Sequence, residues 1–398
     1  MKTRNLFRSR NIYGLALAVF AGVGCAIPAA QAEVTVYNGN GIIPSIKAYV
    51  RIDAGVRFVT NIDLPQYNGK TGTTTLVQGA GNDWGTSMFG VDGALPLSQD
   101  TQAIYKLETG FDATNGTFNG GSGMFNRRAY VGLSDTRFGT IMFGRDLFIN
   151  NDIWGFDPTG QENMSTATLV YGRNWPGAAD MVEYRSPDLA GLQVGLQASF
   201  DKSGASDSTR LSDKWGASAQ YTLGNLELLA IYDQVKSNDG YNNLYAASKE
   251  AIFGATYDLN PVKFYAGYQI LSAPQAGAGN SGAVAINSTA NTGATYQVYP
   301  SVYATHAMMN WLGAVWTVTP KVTLRGAWYH TSLNDSAGHA NLFTVGTEYY
   351  FRPNIFWYGT VGEVVNNGKA EFAADIGTAP PAPGHNQFAG YSGISVGF

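Results

Sequence analysis

Between residues 47 and 58 the chain alternates without a break. Ala48, Val50, Ile52, Ala54, Val56 and Phe58 fall on one side, and Lys47, Tyr49, Arg51, Asp53, Gly55 and Arg57 on the other. Strict period two is the signature of a strand with one apolar and one polar face. The pattern recurs. Residues 102–112 set Ala103, Tyr105, Leu107 and Phe111 against Gln102, Lys106, Glu108 and Asp112. Residues 192–200, 215–223 and 343–351 repeat it, the last with Phe343, Val345, Tyr349 and Phe351 opposite Thr344, Gly346, Glu348 and Tyr350.

Seven short reversals punctuate these runs: around Pro96, at 134–138, around Pro187, at 223–226, and around Pro261, Pro320 and Pro353. Proline cannot donate to a ladder, so its confinement to such points supports the strand assignments. Longer polar stretches lie between them, at about 60–85, 113–125, 146–179, 201–214, 236–249, 272–305, 332–340 and 366–387. They are rich in Gly, Asn, Ser, Thr and Asp, as exposed loops are. Seven tight turns alternating with eight long loops predict sixteen antiparallel strands. Short turns on one side and long loops on the other is the pattern of an outer-membrane β-barrel. Aromatic residues near strand ends, among them Trp215, Trp316, Trp328, Tyr349 and Trp357, suit the headgroup level.

Only the N-terminus breaks the rule of dispersed apolar residues. Lys2, Arg4, Arg8 and Arg10 precede an apolar run from Ile12 to Ile27 and the small-residue site Ala30-Gln31-Ala32. This reads as a secretory signal peptide over 1–32, cleaved after Ala32, with the barrel over 33–398. The chain's single cysteine, Cys25, leaves with it. After residue 32 no apolar run approaches a spanning helix, so any membrane crossing uses strands. In hydrocarbon every unpaired backbone group costs several kcal/mol, so the sheet must close. Sixteen strands enclose a lumen too wide for side chains to fill, which therefore holds water.

Composition agrees. The 398 residues are 14% charged and 13% aromatic, with 49 glycines, and the net charge of −4 is a poor match to a nucleic-acid binder. Without the four leader bases, 21 bases face 29 acids, a net −8 that points weakly to cation preference in a pore.

The segments FNRRAYVGLSDTRFGTIMFGRD (125–146) and MVEYRSPDLAGLQVGLQASF (181–200), the opening AYVRIDAGVRFV and the closing YSGISVGF resemble the general-diffusion porins of Gram-negative bacteria. The resemblance implies an outer-membrane, sixteen-stranded homotrimer that passes ions and small hydrophilic solutes passively. It implies that the loop at 146–179 folds inward as a constriction. That loop lacks the Pro-Glu-Phe-Gly type of turn and has Trp154-Gly155-Phe156-Asp157-Pro158 instead. It also implies that Phe398, with Val396 and Ile394 before it, is a signal read by the barrel-assembly machinery.

A pore of this kind needs opposed charges at a narrow, water-filled waist, where low-dielectric walls focus the field. The loop acids Asp146, Asp152, Asp157 and Glu162 are candidates for one side, and the wall bases Arg51, Arg128, Lys106, Arg185 and Arg325 for the other. Trp154, Phe156 and Tyr171 read as anchors of the loop. The four histidines, His306, His330, His339 and His385, are too scattered for a metalloenzyme motif. No catalytic set, cofactor or metal is called for.

Overall fold

A computed structural model describes residues 33–398 apart from 65–69, 120–122, 161, 201–213, 237–240, 242, 275–283, 288–294 and 299–303. The leader and its cleavage site therefore lie outside the described residues, as do most of 201–214 and much of 272–305.

Sixteen antiparallel strands close on themselves. They are β1 (Ile46–Asp63), β2 in two pieces (Thr73–Gly81 and Ser87–Pro96), β3 (Thr101–Phe111), β4 (Arg128–Asp135) and β5 (Gly139–Leu147). Next come β6 (Gly177–Arg185), β7 (Leu192–Ser199), β8 (Lys214–Leu223), β9 (Leu226–Val235), β10 (Lys249–Asp258) and β11 (Val262–Ser272). The circuit ends with β12 (His306–Thr319), β13 (Val322–Leu333), β14 (Gly338–Arg352), β15 (Ile355–Gly368) and β16 (Gln387–Gly397). Each strand pairs with the next, and β16 returns to β1 in register from Arg51↔Gly397 to Val59↔Ala389. The seam is finished by Phe398, whose backbone exchanges hydrogen bonds with Val50 at 2.7 and 3.0 Å. A short strand, Val34–Tyr37, pairs with the start of β1 below the end of β16. No sheet edge is left open along the circuit, the condition for backbone in hydrocarbon.

All seven reversals expected from the sequence are tight turns. At Leu223↔Leu226 two residues connect the strands, and Gly224 has φ +59°, the backbone such a hairpin demands. Asp135 and Asp188 accept turn N–H groups from Arg137 and Gly191.

The faces fall as the alternation requires. Ile52, Val56, Trp215, Phe343 and Val345 are exposed on the outside, while Arg51, Asp53, Arg57, Thr344 and Glu348 are buried inside.

Three loop expectations need correction. Half of 60–85 is strand: β1 runs on to Asp63 and pairs with Thr73–Gly81. The stretch 332–340 shrinks to a four-residue turn, because β13 and β14 pair as far as Leu333↔Gly338. And 366–387 is no exposed loop. Its middle, from Ala370 through Pro381, is almost wholly buried in the lumen, since EFAADIGTAPPAP is too apolar to stay in water.

Candidate functional site

Between β5 and β6 the chain turns into the barrel, as the resemblance implied. A 3-10 segment, Ile149–Phe156, opens this inward loop and a second, Thr168–Val170, precedes its exit. Ile149, Ile153, Phe156, Met164, Leu169 and Val170 are all buried. Their seats are wall positions without side chains. A Cβ on Gly254 of β10 would stand 2.8 Å from the Phe156 Cβ, and one on Gly313 of β12 would stand 2.4 Å from the Pro158 Cγ. Part of the high glycine count is thus the mould of the loop, as close backbone approach predicts.

Polar contacts fasten the loop to one arc of wall. Asn150 donates to Glu250 of β10 at 2.8 Å, and the Trp311 indole of β12 donates to the Phe156 carbonyl at 2.9 Å. Glu162 accepts from Arg325 of β13 at 2.7 Å, Thr360 of β15 at 3.0 Å and Tyr391 of β16 at 2.8 Å. Burial pushes its carboxyl up to about 7, with Arg325 opposing and Glu348 adding to the rise. At the exit, Arg173 donates to Glu250 at 2.9 Å and to Asp233 of β9, filling the space between two acids that face each other across the ladder. A single cation between two buried carboxylates is a strong tether, because removing it leaves unpaired charge.

Three further loops complete the plug. The segment 369–386 lays Phe372 on Tyr171, with centroids 4.8 Å apart, and Tyr245 packs edge-on against Tyr171 at 5.0 Å. Tyr171 also donates to the Glu371 carbonyl at 3.1 Å. The excursion between the two pieces of β2 brings Asp83 to Arg57 and to Asn163, the latter at 2.9 Å. Arg57 also reaches Asp375 at 3.6 Å.

The inward loop covers the wall from Arg185 at the end of β6 round to β16 and leaves the arc of β2–β5 open. That arc carries the remaining bases. Lys106 lies over the Tyr49 ring at 4.8 Å and reaches Asp92 at 3.4 Å. Arg128 donates to Glu108 at 2.7 Å and to Asp146 at 2.8 Å. Arg127 shares Glu108 at 2.8 Å, and Arg145 donates to the Asn126 carbonyl at 2.8 Å. Arg185 grips Asp152 of the loop, with one contact at 3.1 Å, and also Glu183.

The sequence candidates thus divide. Asp152 with Arg185 and Glu162 with Arg325 are contact ion pairs between loop and wall. Asp157 is buried; it accepts from Tyr329 at 2.7 Å and from the Thr159 and Thr166 amides, shaping the loop's turn. Asp146 belongs to the end of β5, not to the loop. Arg51 is buried beneath Trp84, donating to the Thr86 carbonyl at 2.9 Å. Phe156 and Tyr171 are anchors, whereas Trp154 is 47% exposed at the loop's tip. Sequence reasoning missed Arg127, Arg145 and Arg173. Among the described residues no three His, Cys, Asp or Glu side chains converge as a metal centre.

This geometry, a closed barrel waisted by an inward loop, meets its counterpart in known proteins. The chain matches the Gram-negative porin profile over residues 15–369. It belongs to the Gram-negative porin family. It is 27% identical to an outer membrane porin protein of Bordetella pertussis over 270 residues, which span 64% of this chain and 68% of that one. Among solved structures, an anion-selective porin from Comamonas acidovorans superposes with TM-score 0.70 at 18% identity, covering 89% of this chain and all of that one. The trimer form of OmpT, an outer membrane protein of Vibrio cholerae, superposes with TM-score 0.57 at 13% identity, covering 89% of this chain and 99% of that one. The porin forms an outer-membrane channel, and the barrel just described is its pore.

Proposed function

We propose that this porin passes small hydrophilic solutes passively and favours anions. The observation that carries this reading is the order of charges on the open arc. Lys106, Arg127, Arg128 and Arg145 are all partly exposed there against two partly exposed acids, Asp92 and Asp146, whereas Glu108 lies behind them, 0% exposed. A solute in the lumen therefore meets more bases than acids on this arc. This outweighs the net −8 of residues 33–398, because a pore's field is set by the few charges at its waist. The anion selectivity named for the Comamonas relative supports it. Reversal potentials of the purified pore across a KCl gradient test it: the sign of chloride preference is expected, and potassium preference refutes it.

On the same reading the chain is exported by a leader cleaved after Ala32 and assembles as a homotrimer. The exposed Ile394 and Phe398, with Val396 between them on the outer face of β16, present the assembly signal to the barrel-assembly machinery. Wall bases and loop acids named from the sequence act here in two ways. Arg128 and Lys106 face passing solute, while Arg185 with Asp152, Arg325 with Glu162, and Asp157 hold the loop.

A further inference from the structure

The outward face of β13 and β14 carries a polar island. Trp328 and Phe343 pair across the strands in the aromatic girdle, and the outward positions beyond them are His330, Ser332, Asn341 and His339. Polar groups at the edge of hydrocarbon are costly and call for a reason. The imidazoles of His330 and His339 lie with centroids 5.9 Å apart, at the rim of an open niche of about 460 Å³ that Ser332, Leu333, Ser336 and Gly338 also line.

The hydrogen bonds fix the state of His330. Asn341 Oδ1 accepts from the Trp328 indole at 3.1 Å, and an indole N–H can only donate. The same Oδ1 lies 3.0 Å from His330 Nδ1. An amide oxygen only accepts, so Nδ1 carries a proton, and it is Nε2 that offers a lone pair in the neutral ring. Trp328 also stacks on the His330 ring, centroids 6.0 Å apart and planes at 23°. An imidazole locked by a carbonyl oxygen on one nitrogen and open on the other is arranged as a metal ligand is.

We propose that His330 and His339 bind one divalent transition-metal ion of the zinc, copper or nickel kind on the outer rim of the barrel. Two imidazoles on one tetrahedral ion have centroids roughly 5 Å apart, given metal–nitrogen bonds of about 2.0 Å. The observed pair, at 5.9 Å, lies within about 1 Å of that separation. Imidazole suits these ions rather than calcium or magnesium. With only two protein nitrogens, water and the Ser332 hydroxyl complete the shell. This differs from the converged three-ligand centres that the described residues lack, and it implies modest affinity.

The test uses the untagged, folded barrel in detergent, stripped with a chelator and titrated with Cu²⁺ alone and Zn²⁺ alone. One ion per chain is expected, with nitrogen hyperfine structure in the Cu²⁺ spectrum. His330→Ala and His339→Ala should each weaken binding at least tenfold, and His385→Ala should leave it unchanged. Asn341→Leu positions nothing on the ion itself, yet should weaken binding about tenfold by freeing the ring. Heat-modifiable migration confirms that each variant is folded. Absence of saturable binding, or binding that survives in the folded double variant, overturns the proposal.

Discussion

Glu162 makes docking of the inward loop depend on pH. Docked, it is 2% exposed and its carboxyl is raised from 4.5 to about 7. Undocked and facing lumen water, it takes the ordinary value. A group with the higher value in the docked state binds its proton more tightly there. Docking is therefore strongest below about 4.5, weakens as pH rises, and has lost this contribution above about 7. At about 1.4 kcal/mol per pH unit, the full interval amounts to about 3.5 kcal/mol, or a factor of about 300 in docked over undocked loop. The assay is thiol labelling, since the barrel contains no cysteine of its own. Ala167→Cys places a reporter at a fully buried loop position, and Thr136→Cys places one in an exposed turn as the reference. A dipyridyl disulfide, which reacts in acid, labels both. Protection of position 167 relative to 136 should rise about a hundredfold from pH 8 to pH 4.5. Glu162→Gln should flatten that dependence. Flat or falling protection in the native loop, or an unchanged pH profile in the glutamine variant, refutes the reasoning.

Other outcomes follow from the same contacts. Arg173→Ala should cost docking about 3–5 kcal/mol by stranding Asp233 and Glu250, seen as noisier single-channel current and faster labelling at position 167; wild-type behaviour in both would contradict the tether. Deleting residues 370–382 should raise single-channel conductance, and an unchanged conductance would show that this segment does not obstruct the path. Replacing Arg127 and Arg145 together by glutamine should reduce chloride preference while leaving the barrel folded; reversal potentials identical to wild type would exclude them as selectivity groups. Removing Phe398 should lower the yield of heat-modifiable barrel in the outer membrane, and normal levels would count against an assembly role.

The barrel itself was legible because its rules are local. Alternation at 47–58 and 343–351 names the face of each side chain, and proline, Gly-Asn or the Ser-Asp-Thr of 134–136 marks each reversal. Loop packing was less legible because it depends on partners far along the chain. Asp233 and Glu250 stand 17 positions apart in the chain; only register places them opposite one another, and only then is the need for Arg173 visible. Gly254 and Gly313 read as strand glycines until Phe156 and Pro158 are seen against them. The segment 370–382 did carry a signal, in its run of alanine, proline, phenylalanine and isoleucine, which is not the composition of a solvated loop. The inward loop was expected from resemblance, but its fastening by ion pairs rather than charges opposed across open water comes from the coordinates of Arg325 and Arg185.

The seam between β16 and β1 gives the chain a means of marking its own completion. The strand that leaves the export channel first must wait, with one side bare, for the strand that leaves last. A copy truncated by a dozen residues keeps two raw edges and cannot seal. Closure, rather than any single contact, therefore distinguishes a finished molecule from a fragment that proteases and chaperones can still seize.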